Sequence, residues 1–178
     1  MDAELLTAKM VAELQQEIKQ VMEESEQEKT GPAQLNRFEQ GVRQALNRLG
    51  TQLTQRQIEQ AGRAHEKGPR DCRQCGKQMR NVKRATLVVQ SIFGALTVAR
   101  TKYGCGGCER TEYPLDGYYG WQPHHFTPTA KEWVCLMCQE HAYEGSVEIL
   151  GRVSGIAGTV ETFRDVAQEC GEIGRAHV

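Results

Sequence analysis

The sequence predicts a small multi-unit α+β protein: a helical N-terminal arm, a four-cysteine zinc ribbon built on a β-hairpin, and a C-terminal helix-turn-helix-like helical unit. Three observations predict it. Two CxxC pairs, Cys72/Cys75 and Cys105/Cys108, bracket a stretch of alternating β-branched residues. The residues ahead of them are mostly Ala, Glu, Gln, Leu, Lys and Met, which are good helix formers. After Thr127 a helical period returns, broken by short turns. With 178 residues, 39% of them hydrophobic, and a mean hydropathy of −0.58, the chain has too little apolar content for one large core. The expected boundaries are 1–63 for the arm, 64–122 for the ribbon and 123–178 for the last unit.

In the arm, residues 3–29 read as one helix. Val11, Leu14, Ile18 and Val21 form a narrow apolar stripe along it. Gly31-Pro32 stops that helix, and a second follows over 33–62 with a stripe of Leu35, Phe38, Val42, Leu46, Leu49 and Leu53. Each helix has one apolar face, so the pair must pack as a hairpin, dimerise, or lie against the rest of the chain. Residues 64–71 read as a linker. Residues 85–93 and 95–103 alternate as strands with Gly94 between them, the pattern of a β-hairpin. Residues 112–126 form an irregular aromatic stretch. Thr127 followed by Pro128 reads as an N-cap and first helical position. Three helices near 128–142, 145–153 and 159–172 then follow, with a Ser154–Gly158 turn between the last two.

The paired CxxC motifs are the strongest chemical signal. A tetrahedral Zn²⁺ takes four thiolates, and a two-residue gap lets one tight turn offer two of them. Cys72, Cys75, Cys105 and Cys108 are therefore the expected ligands of one structural Zn²⁺ per chain. Four sulfurs leave no open position, so no catalysis is expected at the metal. Cys135, Cys138 and His141 share a helix face and would need His124, His125 or Cys170 to complete a second site. Packing of the two cysteines in a helical core is the preferred reading. No apolar run reaches the ~18 residues of a membrane span, and the acidic N-terminus lacks a signal-peptide pattern. A cytoplasmic location without a membrane partner is expected, with cysteines as metal ligands or buried thiols rather than disulfides.

Charge is partitioned along the chain. The net charge of −1 divides into −3 over residues 1–60, +8 over 61–110 and −6 over 111–178. A basic block between acidic ones points to a polyanionic partner. The expected DNA contacts are Arg73, Lys77, Arg80, Lys83, Arg84, Arg100 and Lys102 around the ribbon. Arg164 and Gln168 in the last helix are added to them, four residues apart on one face. That helix is otherwise acidic, with Glu161, Asp165, Glu169 and Glu172, which suits phosphate poorly.

The order of motifs is itself specific: Phe38-Glu39-Gln40 and Leu49-Gly50; Cys72-x-x-Cys75-Gly76; Arg84-Ala85-Thr86; Ile92-Phe93-Gly94-Ala95-Leu96-Thr97-Val98; Tyr103-x-Cys105-x-x-Cys108; Pro114-Leu115-Asp116; Thr127-Pro128; and Gly158-Thr159-Val160. Over roughly 35–172 this order resembles the N-terminal half of bacterial insertion-sequence transposases of the Kra group. The resemblance implies a region that binds the element's terminal repeats, joined to an RNase H-like domain with an Asp-Asp-Glu triad for two-metal phosphoryl transfer. This sequence ends at Val178, where that domain should begin. The expectation is a non-enzymatic DNA-binding fragment without a small-molecule substrate. Its partners would be double-stranded DNA and either a second copy or full-length transposase. The alternative is a protein-interaction module that dimerises with full-length transposase and regulates or inhibits it.

Overall fold

Proline lacks an N–H and has its φ preset for a helix, which suits Pro32 to the first position of the second helix. The computed structural model describes residues 3–26, 31–65 and 68–176. Helix α1 spans Ala3–Glu26 and α2 spans Pro32–His65. Residues 27–29 of the expected first helix and 66–67 of the expected linker lie outside the described residues. The chain divides into two compact units, 1–53 and 54–178, with the division inside α2.

In the first unit the helices run antiparallel. Val21 packs against Gly41, where a Cβ would come within 2.7 Å of it. Glu17 pairs with Arg48 at 2.9 Å, and Met10 and Ala45 are buried. The stripe of α1 is thus used in a hairpin, with Leu14, Ile18 and Val21 half-buried. Leu35, Leu46 and Leu53 of α2 remain 59%, 51% and 51% exposed.

The second unit is built on a long hairpin of β2 (Gln78–Ser91) and β3 (Gly94–Gly104), flanked by the short strands β1 (Arg70–Asp71) and β4 (Thr111–Glu112). The sheet is antiparallel in the order β1-β2-β3-β4. Ser91 faces Gly94 across the turn, donates its hydroxyl to the Gly94 carbonyl at 2.7 Å and accepts from the Phe93 amide. The turn is therefore Ile92-Phe93, and Gly94 opens β3. Register shifts between Asn81 and Lys83, which leaves Val82 bulged and 57% exposed. Alternation places Leu87, Val89, Leu96 and Val98 on one face, where they form a core with Ile58, Leu115 and Trp121.

The stretch 112–126 is more ordered than expected. Pro114–Tyr119 is a short helix, α3, closed by Gly120 in the left-handed region. Its Asp116 is buried and forms an ion pair with Arg100 of β3, whose guanidinium lies 4.0 Å from the Tyr113 ring centroid. Gln122 also donates to Asp116, at 3.0 Å.

Helices α4 (Pro128–Glu140), α5 (Tyr143–Ser154) and α6 (Val160–Ala176) follow. As expected, Thr127 caps α4 by accepting from the Ala130 amide. Phe126, Ala130, Val134, Leu150, Ile156, Phe163 and Val166 form the core of this three-helix group. The group is joined to the sheet through Gln90. The Gln90 amide donates to the His125 carbonyl, its carbonyl accepts from Thr127, and its side chain accepts from the Ala157 amide. Cys135 of α4 and Cys170 of α6 form a disulfide, contrary to the expectation of unpaired thiols. They lie 35 residues apart in sequence and meet only because α4 and α6 pack together. Among the described residues no helix is long and apolar enough to cross a membrane.

The buried Arg100–Asp116 pair yields a stability prediction. Removing one partner strands the other charge in the interior, so Asp116→Ala should destabilise the fold by about 3–5 kcal/mol. Joint replacement by Met at 100 and Leu at 116 should cost far less, because neither charge is then left alone. Denaturant midpoints of the three proteins test this. Equal losses in the single and double variants would contradict it.

Candidate metal centre

Each CxxC pair sits in the loop of a small hairpin, and the two hairpins repeat one another 33 residues apart. Arg70 and Asp71 pair with Met79 and Gln78; Tyr103 and Gly104 pair with Glu112 and Thr111. The Cys72 amide donates to the Lys77 carbonyl and the Cys105 amide to the Arg110 carbonyl. Likewise the Gly76 amide donates to the Cys72 carbonyl and the Glu109 amide to the Cys105 carbonyl. Tight closure requires a positive φ at the residue after each second cysteine, 71° at Gly76 and 59° at Glu109. Glycine adopts this freely; glutamate does so only under strain.

The hairpin β2–β3 carries the first loop to the second. All four Sγ atoms lie within 4.8 Å of one another, with Cys72 and Cys108 at 3.5 Å and Cys75 and Cys105 at 3.4 Å. Zn–S bonds of ~2.3 Å in a tetrahedron require sulfur separations of roughly 3.8 Å. The four cysteines can therefore hold a metal ion, and their chemistry is compatible with zinc. Cys72 and Cys105 are buried beside Met79 and Tyr103, Cys108 is half-buried and Cys75 is exposed. The stem of Lys77 crosses Gly107, where a Cβ would come within 2.5 Å of it, and so carries an ammonium to the second loop.

The sulfurs titrate unequally. The Gly107 amide, reinforced by the Cys75 sulfur, holds Cys105 down at about 6. The Gln74 and Cys75 amides lower Cys72. The Lys77 amide favours the Cys75 thiolate, but the Cys105 sulfur and desolvation outweigh it and raise the thiol. At Cys108 the Arg110 amide pulls the same way, and the Cys72 sulfur, desolvation and the other two sulfurs push it up to about 12. Four adjacent thiolates repel one another, so without a cation some of them keep their protons.

Around this centre Arg73, Lys77, Arg80, Lys83 and Arg84 are exposed, and Lys102 is half-buried. Arg100 differs from these: its side chain is only 11% exposed and is committed to Asp116 and Tyr113. On α6, Gln168 is exposed, and Arg164 sits 3.7 Å from Asp165. Cys135, Cys138 and His141 do not assemble into a second site. Cys135 is bonded to Cys170, Cys138 packs against the helical core and His141 is exposed. Among the described residues the four-cysteine group alone gathers three or more such ligands. The aromatic residues Tyr113 and Tyr118, which line a cleft beside the first loop, carried no signal beyond local aromatic enrichment.

Metal binding should expel the protons that Cys75 and Cys108 hold at neutral pH. Zn²⁺ affinity should then rise with pH between about pH 7 and 8. Competition against a chromophoric chelator measures this, and a flat profile would contradict the protonation pattern. Changing Cys72 and Cys105 together to Ser should abolish binding.

No family model, no curated protein and no solved structure matches the chain.

Proposed function

We infer that this is a DNA-binding protein in which one structural Zn²⁺, held by Cys72, Cys75, Cys105 and Cys108, fixes a zinc ribbon that presents a basic surface to the phosphate backbone. The observation that carries the reading is the exposed series Arg73, Lys77, Arg80, Lys83 and Arg84. It begins in the first cysteine loop and continues along β2. Cations on a rigid platform lose little freedom on meeting phosphate, and released counterions supply much of the affinity. The α5–α6 pair has the helix-turn-helix order, with Gly155 closing α5 and Thr159 bonding the Thr162 amide ahead of α6. Its exposed face mixes Arg164 and Gln168 with Glu161 and Asp165, so its role is sequence preference rather than affinity. The motif order shared with Kra-group transposases supports terminal-repeat DNA as the target. A site closed by four sulfurs offers no position for substrate, and the reading assigns the chain no reaction.

A second reading is favoured by the first unit. Leu35, Leu46 and Leu53 on α2, with Val11 and Met22 on α1, are large, apolar and about half-exposed or more. They support a role as an interaction module that pairs with a second copy or with full-length transposase.

Each reading has its own measurement. Changing Arg80, Lys83 and Arg84 together to Ala should weaken duplex binding and flatten its salt dependence, by roughly 0.9 in the log–log slope for each phosphate that is no longer neutralised. Arg164→Ala with Gln168→Ala should leave that slope unchanged. Salt titrations on terminal-repeat and random duplexes check both; a parent-like triple variant would overturn the charge argument. For the second reading, sedimentation should show self-association at tens of micromolar that Leu46→Glu with Leu53→Glu abolishes. A strict monomer would leave the apolar face without a second copy.

A further inference from the structure

Arg73, the first residue of the basic series, lines a cleft of about 500 Å³ together with Arg110, Tyr113, Tyr118 and Gln122. Small-molecule clefts typically occupy ~300–1,000 Å³. The wall contains two carboxylates, and each is matched by an arginine: Asp116 by Arg100, and Glu112 by Arg110, whose Nε lies 3.2 Å away. Arg73, in the turn of the first cysteine loop, adds exposed positive charge.

The aromatic side of the cleft is braced from behind. Tyr118 meets Tyr119 edge to face at 4.8 Å, and Tyr119 stacks on Trp121 at 4.8 Å and 10°. Trp121 is buried in the sheet core, whereas Tyr118 is 54% exposed. A ring held this way offers surface to a flat ligand at little cost in side-chain freedom.

We propose that this cleft accepts a single unstacked nucleotide of the bound DNA, with its base against Tyr118, its phosphate on Arg73 and Arg110, and the Gln122 amide at the base edge. The inference rests on the DNA-binding reading and adds a preference to it. In an intact duplex both faces of each base are already stacked, so the cleft has nothing to take. A bulged, frayed or single-stranded base presents a free face, and stacking on an aromatic side chain tolerates any base. An acidic peptide would satisfy the arginines and leave the tyrosines unused.

The test uses the full chain loaded with Zn²⁺ and 2-aminopurine-labelled DNA in two forms, a paired duplex and the same duplex with the labelled base bulged. The bulged form should bind about tenfold more tightly, with its fluorescence quenched on binding. Tyr118→Ala should remove that advantage, Tyr118→Phe should keep it, and neither should alter affinity for the paired duplex. Equal binding of the two forms, or an equal reduction on both in Tyr118→Ala, overturns the cleft while leaving duplex binding intact. Failure to bind either form overturns both readings. Displacement of the bulged DNA by hexaglutamate but not by deoxyadenosine monophosphate would assign the cleft to an acidic peptide and overturn the proposal.

Discussion

Four sulfurs from two loops 33 residues apart must meet within 4.8 Å, and the second unit is arranged around that requirement. Neither loop can supply a full ligand set, and neither short strand pair buries enough to persist by itself. The β2–β3 hairpin is what brings them together, because its register fixes how the loop ahead of β2 faces the loop after β3. A metal in that position would close a chain segment with little apolar core of its own, since among the described residues the buried cluster there is Met79 and Tyr103 with the cysteines themselves. The same hairpin serves two further ends of the unit. Its middle carries the core with Ile58, Leu115 and Trp121, and near its turn Gln90 holds the three-helix group.

The exposed arginines and the buried ion pair show how one stretch of sequence divides between surface and interior. Arg84 and Arg100 both belong to the hairpin, and their sequence contexts look alike. Arg84 is exposed, while Arg100 turns in to meet Asp116 and the Tyr113 ring. A buried guanidinium with a carboxylate partner and an aromatic face costs much to desolvate and returns most of that only when its geometry is kept. It acts less as a source of stability than as a key that sets how α3 sits on the sheet. The wall of the Arg–Tyr cleft depends on that seating, because Asp116, Tyr113 and Tyr118 all line it.

Features with a local cause were legible in the sequence. Both CxxC loops and the Thr127-Pro128 helix start each depend on residues within a few positions of one another, and the structure has them where the pattern put them; the alternating strands are there too, but β2 begins at Gln78 and the turn is Ile92-Phe93 rather than Gly94. Features set by distant partners were not. Nothing near Cys135 points to Cys170, and nothing near Asp116 points to Arg100. The aromatic run 112–126 hid α3 because a six-residue helix has too few turns to show a period. The stripe on α1 was visible, but its use was not: the packing of Val21 on Gly41 becomes evident only when α2 folds back. The single-residue bulge at Val82 likewise leaves no mark in an alternating pattern.

The two cysteine loops share their hydrogen bonds but not their backbone cost. Gly76 takes the left-handed conformation freely, whereas Glu109 is held in it against a penalty of about 1–2 kcal/mol. The loops are therefore unequal reservoirs of strain. The backbone strain of the pair is thus concentrated in the 105–109 turn, and the corresponding position of the 72–76 turn carries none of it.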